Sequence, residues 1–389
     1  MRDNLWIGHA GFILTGIANT LLGPILPILS LRWTMSDAQA GRLFAAEFVG
    51  AMVGTILSSR FMPSLGCRRT AALGLFLTAV GVAALCASDP KAGLASIFCL
   101  GLGLGISIPA TNLWITLAEP ERSAAAANLL NASWCLGAAA SAPLVLMLAR
   151  HFSFGATLLA VAIPVALIAA VSAIEREKIR PREVNAVMMQ SDSSRHAGSR
   201  RAFIVLITIL IFFYVGSETG IGGWVTTYAT RLNLLSASTI GLAQSTFYGA
   251  LLIGRLIAPL VLRKTRAPRL ILFGLGIAAA GMVLSVAASR ALPVLVGLFI
   301  VGVGFAPVFP TTVATFSDRL GSDSIRVAGS VFTFGYVGAA TIPFAMGQVS
   351  ERFHALRYGM LLALGCIFVL LAVQTRIIGQ LHHRGSSNS

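Results

Sequence analysis

The chain has 389 residues, 56% of them hydrophobic and 11% charged, with a mean hydropathy of +0.83. Soluble domains carry about 25% charged residues, so this composition excludes a water-soluble globule. The net charge of +15 does not read as nucleic-acid binding, because the basic residues lie in short segments between apolar stretches rather than on one face.

Crossing a bilayer takes about 20 apolar residues in a helix. Stretches of that kind occupy 6–31, 38–60, 70–88, 92–117, 123–149, 154–174, 202–230, 237–262, 269–288, 292–317, 325–350 and 356–378. They predict twelve membrane spans. The first stretch is long for a signal peptide and lacks a small-residue cleavage site, so it reads as span 1. With the N-terminus inside, 20 of the 29 Lys and Arg residues fall on inner segments, eight fall outside, and Arg255 lies within a span. That bias predicts cytoplasmic termini and a plasma (inner) membrane protein. Residues 175–201 are polar, charged and Ser-rich, which reads as a cytoplasmic linker. The expected organisation is an N-terminal six-helix bundle, 1–174, and a second bundle, 202–389.

The halves repeat. A shift of 200 residues aligns Gly16 with Gly216, Gly41 with Gly241, Gly54 with Gly254, Gly74 with Gly274, Gly81 with Gly281 and Pro143 with Pro343. An even number of spans per repeat gives both halves the same topology. Parallel repeats related by a pseudo-twofold axis are a transporter architecture. The predicted fold class is therefore an all-α membrane protein of two related bundles.

Two acids lie deep in apolar stretches, Glu47 in span 2 and Glu218 in span 7. A charge there is costly unless it faces protein or water. Each acid reads as a substrate acceptor, a proton carrier or cation ligand, or a paired structural carboxyl. Arg255 in span 8 reads as a gating or structural charge. Asn19, Asn112, Asn128, Asn131 and Gln244 are mid-span amides, with Tyr248, Trp224 and Tyr336 as aromatic companions. Amides both donate and accept, and aromatic faces stack on the C–H face of a sugar ring. Amides also bond neighbouring membrane helices to one another, which explains any one of them as well. The five cysteines show no ligand spacing, and no metal or organic cofactor is expected. The six histidines lie near predicted helix ends, in loops or in tails, with no intramembrane catalytic pairing in view.

The stretch Tyr214 to Tyr228, YVGSETGIGGWVTTY, resembles a motif of the fucose–galactose–glucose:proton symporter branch of the major facilitator superfamily. Its GGW continuation is similar to the sodium-dependent glucose transporter-like relatives. Gly16 to Pro27, GIANTLLGPILP, and Ser107 to Gly137 are similar to that branch too. Gly54, Gly66, Arg68 and Arg69 match what remains of the superfamily's loop motif between spans 2 and 3, without its usual acid. The branch's acids in spans 1 and 4 are replaced here by Thr20 and Ile108.

The resemblance implies a major facilitator fold and inward transport of a monosaccharide such as glucose, by alternating access, with protons or sodium as the coupling ion. Glu218 or Glu47 would then carry the coupling, and the chain would act as a monomer in the bilayer. A drug or metabolite exporter of the same fold and an uncoupled sugar facilitator are the alternatives. The pattern does not point to an enzyme.

Overall fold

A computed structural model describes residues 5–87, 89–174, 197–232, 239–320 and 323–385. These residues are helical almost throughout and contain no β-strand. Span 1 runs Leu5–Asn19 and Leu22–Arg32, followed by Asp37–Leu65, Cys67–Ala84, Pro90–Ala118, Ser123–His151 and Phe154–Ile174 as spans 2 to 6. Spans 7 to 9 are Ala197–Arg231, Leu242–Leu262 and Ala267–Ala287. Span 10 runs Ala291–Phe305 and Val308–Leu320, and spans 11 and 12 are Asp323–Arg352 and Leu356–Gly385. Eleven of these are long and apolar enough to cross a membrane. Asp323–Arg352, 30 residues long, takes the remaining place. The chain is a multi-pass integral membrane protein. Most of the expected linker, residues 175–196, lies outside the described residues.

Two spans predicted as continuous are broken. Span 1 breaks after Asn19 because Pro24 has no N–H to give the Thr20 carbonyl. Span 10 breaks after Phe305, where Pro307 and Pro310 remove two donors within one turn. Span 3 starts at Cys67 rather than residue 70, because Gly66 alone turns the chain out of span 2. Its φ of 83° lies in the left-handed region, where a side chain is strained.

Packing divides the chain into two compact units, Met1–Met189 with Val225–Ser245, and Gln190–Trp224 with Thr246–Ser389. The segment Val225–Ser245, read from sequence as part of the second bundle, thus groups with the first six spans.

Both units are built on glycine contacts, and these follow the 200-residue repeat. In the first, spans 1 and 5 touch through Gly16 against the Trp134 carbonyl and Gly137 against that of Ile13. In the second, spans 7 and 11 touch through Gly216 against the Gly338 carbonyl and Gly338 against that of Phe212. Spans 3 and 4 meet at Gly74 and Gly103, and spans 9 and 10 at Gly274 and Gly304. Spans 2 and 4 interlock through Gly50, Gly54, Gly101 and Gly105, each facing opposing backbone. A Cβ at any of these positions would collide with main chain, so the helices pack backbone to backbone, as small residues permit in lipid.

Candidate functional site

In the first unit, polar side chains gather at the break in span 1. Asn19 is the last residue of the first helix segment of span 1, and its Nδ2 donates to Glu47 Oε1 at 3.3 Å. Glu47 is only 2% exposed, on the face of span 2 that packs on Gly101. The break leaves carbonyls without their usual i+4 donors. Ser141 of span 5 donates its hydroxyl to the Ile17 carbonyl at 3.0 Å. Gln244 of span 8 donates Nε2 to the Thr20 carbonyl at 3.2 Å, the one that Pro24 orphans, and the backbone N–H of Gly23 reaches it at 3.3 Å.

The same rule operates twice more. Pro143 leaves the Ala139 carbonyl without a donor, and Ser245 Oγ supplies one at 2.7 Å. Pro109 does so at Gly105, and Thr55 Oγ1 answers at 3.2 Å. Adjacent residues at the start of span 8, Gln244 and Ser245, therefore seat on proline-freed carbonyls of spans 1 and 5. Gln244 is fully buried, and its Oε1 accepts from the Thr226 hydroxyl at 3.5 Å. Arg231, in the last turn of span 7, pairs in bidentate fashion with Asp37, in the first turn of span 2. Each charge also suits the helix end on which it sits.

The other amides of this unit are less gathered. Asn112 and Asn131 donate Nδ2 to carbonyls of their own helices, Ile108 at 3.0 Å and Ala127 at 2.9 Å, while Asn128 is exposed. His9, one turn into span 1, bonds Ser133 of span 5 at 2.9 Å. Arg68 is buried with its guanidinium 4.9 Å from the Trp114 ring, a cation–π contact. Arg69 beside it is exposed.

In the second unit, Glu218 Oε2 lies 3.7 Å from Arg255 Nη2, with about a seventh of each side chain exposed (14% and 15%). Tyr214, one turn before Glu218 on span 7, interacts with both. Its hydroxyl donates to the Phe305 carbonyl at the span-10 break, at 3.3 Å. Tyr214, Phe305, Phe309, Phe247 and Tyr248 form a continuous aromatic cluster, with Tyr214 and Phe309 stacked at 6.2 Å. Tyr248 is buried with its hydroxyl against Gly222. Trp224 is fully buried and donates Nε1 to the Pro343 carbonyl at 3.0 Å. Tyr336 is half-buried on span 11.

The structure thus brings Asn19 to Glu47, Gln244 to Thr20, and Glu218 to Arg255. It commits the polar atoms of Gln244 and the indole N–H of Trp224 to protein partners. Sequence reasoning missed Thr55, Ser141 and Ser245. For Thr55 and Ser245 the prolines were the available signal, since each names the carbonyl four residues earlier that needs a new donor; no proline marks the Ile17 carbonyl that Ser141 answers.

A family model described as Major Facilitator Superfamily matches residues 9–343. The chain is 25% identical over 359 residues to a glucose/galactose transporter of Brucella abortus biovar 1 (strain 9-941), covering 88% of this chain and 85% of that one. It is 25% identical over 391 residues to a putative glucose/galactose transporter of Helicobacter pylori (strain ATCC 700392 / 26695), covering 93% and 92%. Among solved structures it is similar to FucP in the outward conformation, with a TM-score of 0.65 and 19% identity over 96% of this chain and 98% of that one. With the family match spanning most of its spans, the chain belongs to the Major Facilitator Superfamily.

Proposed function

We propose that this chain is a secondary active transporter carrying a neutral hexose, of the glucose or galactose class, inward by alternating access. The observation that carries this reading is the end-to-end similarity to two glucose/galactose transporters from different bacteria. The polar groups support it. Asn19 and Glu47 at the span-1 break, with Asn112, Asn128 and Asn131, offer donors and acceptors suited to hydroxyls. On this reading residues 1–174 and 202–389 act as two rocking bundles joined by 175–201. The termini are cytoplasmic, the membrane is the inner one, and the unit of function is a monomer.

Coupling falls to Glu47 or Glu218, since Thr20 and Ile108 occupy the positions of the related branch's acids. Protons are the first choice of ion and sodium the second. Those same two replacements favour an uncoupled facilitator as the second reading.

The test is uptake of labelled glucose, galactose and fucose into proteoliposomes, with an imposed proton gradient, with sodium, and with neither. Saturable uptake of a hexose that is accumulated only under one gradient is expected. Saturable uptake without accumulation would establish the facilitator. Absence of uptake or competition by any sugar under all three conditions sinks the hexose reading.

A further inference from the structure

We propose that the segment joining spans 8 and 9 is a docking surface for an anionic phospholipid. Arg263, Lys264, Arg266 and Arg269 take the headgroup phosphate, and the exposed faces of spans 8 and 9 take the acyl chains. This goes beyond the hexose reading and does not depend on it.

Four cations fall within the seven residues Arg263 to Arg269, and all four side chains are exposed. None forms an ion pair with another described residue. Their own stretch of chain offers no counter-charge, since no Asp or Glu occurs between Glu218 and Asp318. An anion that complements the patch has to come from elsewhere.

Topology does not require so dense a patch. Basic residues hold a loop on the inner side of a membrane, but the internal repeat shows that fewer suffice. The 200-residue shift sets Pro63, Ser64 and Gly66 opposite Arg263, Lys264 and Arg266, and only Arg69 matches Arg269. At that turn of the first unit Arg68 is buried against Trp114, which leaves Arg60 and Arg69 as the exposed cations. The second unit thus carries added surface charge at the equivalent place.

The patch also sits where a headgroup would lie. Span 8 ends at Leu262 and span 9 starts at Ala267, so the four cations straddle two helix ends. Gln374 of span 12 donates Nε2 to the Pro268 carbonyl at 2.9 Å and fixes the segment in position. One turn deeper the surface is apolar. Leu256 and Leu260 lie a turn apart on span 8, and Phe273 lies a turn after Arg269 on span 9; all three are well exposed, Phe273 by 64%. Guanidinium and ammonium groups donate to phosphate oxygens, and juxtamembrane clusters of this size attract anionic lipids. A free phosphate would use only the charged part of this surface, whereas a phospholipid uses both parts.

The test counts lipids on the full-length protein. Transporter purified in detergent is given equal amounts of phosphatidylglycerol and phosphatidylcholine with the same acyl chains, and retained lipid is read by native mass spectrometry. The wild type is compared with a fourfold variant (Arg263→Gln, Lys264→Gln, Arg266→Gln and Arg269→Gln), with the milder pair Lys264→Gln and Arg266→Gln between the helices, and with a control, Arg60→Gln and Arg69→Gln. Thermal transitions show that each is folded. The wild type is expected to prefer phosphatidylglycerol by about tenfold or more, the pair by about threefold, and the fourfold variant by about twofold or less, while the control keeps the wild-type preference. A preference unchanged in the pair and the fourfold variant would overturn the proposal. Equal loss in the control would mean general charge attraction, and displacement of the lipid by inorganic phosphate alone would mean a free-anion site; either outcome sinks the lipid assignment. No readout involves sugar, so the hexose reading stands or falls separately.

Discussion

The two units handle mid-span polarity differently. In the first, Glu47 is almost wholly buried and its bond comes from the neutral amide of Asn19. Around it, side-chain hydroxyls and an amide answer carbonyls that prolines have freed, and Ser141 answers the Ile17 carbonyl at the break. In the second, Glu218 faces a cation across a gap, beside a cluster of aromatic rings. The two acids thus meet different partners, a neutral amide in one unit and a cation in the other.

The most decisive way to break this comparison is to neutralise each acid in turn. Glu47→Gln and Glu218→Gln are compared for accumulation of sugar against a gradient and for exchange of internal with external sugar. One of the two is expected to abolish accumulation while exchange persists. If both accumulate as the wild type does, neither acid couples.

The next largest effect separates the units by stability. Arg255→Gln leaves Glu218 without its cation and is expected to destabilise the fold by about 3 kcal/mol, the size seen when one partner of a buried pair is removed. Adding Glu218→Gln should recover most of the lost thermal stability. An unchanged melting temperature in the single variant would show that the pair contributes little.

Backbone packing gives a sharper contrast. Gly101 on span 4 lies against the Glu47 carbonyl, whereas nothing stands within 4 Å of a Cβ placed on Gly249 of span 8. Gly101→Ala is expected to cost about 1–3 kcal/mol through overpacking. Gly249→Ala should be neutral or stabilise by up to about 1 kcal/mol, since alanine is the better helix former. Equal melting temperatures would refute the close contact at Glu47.

Gln244→Leu comes next. It removes the side-chain donor from the Thr20 carbonyl, at an expected cost of about 1 kcal/mol, the low end of the range because Gly23 still reaches that carbonyl. The readout is hydrogen exchange across 239–245, which should quicken relative to the rest of span 8. Unaltered exchange would mean that Gln244 does not hold this segment.

The smallest effect is expected at Asp37 and Arg231. Arg231 is well exposed, and pairs of that kind contribute about 1 kcal/mol or less. A double-mutant cycle at low and high salt should show a coupling that fades with salt. A large, salt-insensitive coupling would put the pair in a drier setting.

Much of the architecture was legible in the sequence because it is written in local patterns. The twelve apolar stretches mark the spans, and the 200-residue register of Gly16, Gly54, Gly74 and Gly81 marks helix contacts that recur in each unit. The buried acids stood out because they break an apolar pattern. The pairings at the candidate site were less legible. Gln244 read as a ligand group because its helix face is polar, but its partner is a carbonyl 224 positions away. Trp224 read as a stacking surface, yet its ring is enclosed and its N–H is bonded. In both cases the deciding contact is long-range, and no local periodicity encodes it.

The proline-freed carbonyls also have a mechanical consequence. Spans interlocked through glycine, such as 2 with 4 and 3 with 4, touch main chain to main chain and resist sliding past one another. They behave as stiff struts. At Thr20, Ala139 and Gly105 the acceptor has already been handed from the helix ladder to a side chain. A bend at such a joint exchanges one partner for another, or for water, without tearing a backbone bond. Compliance is thus concentrated at a few joints in spans 1, 4 and 5, and a proline-to-alanine change at any of them should act as a splint.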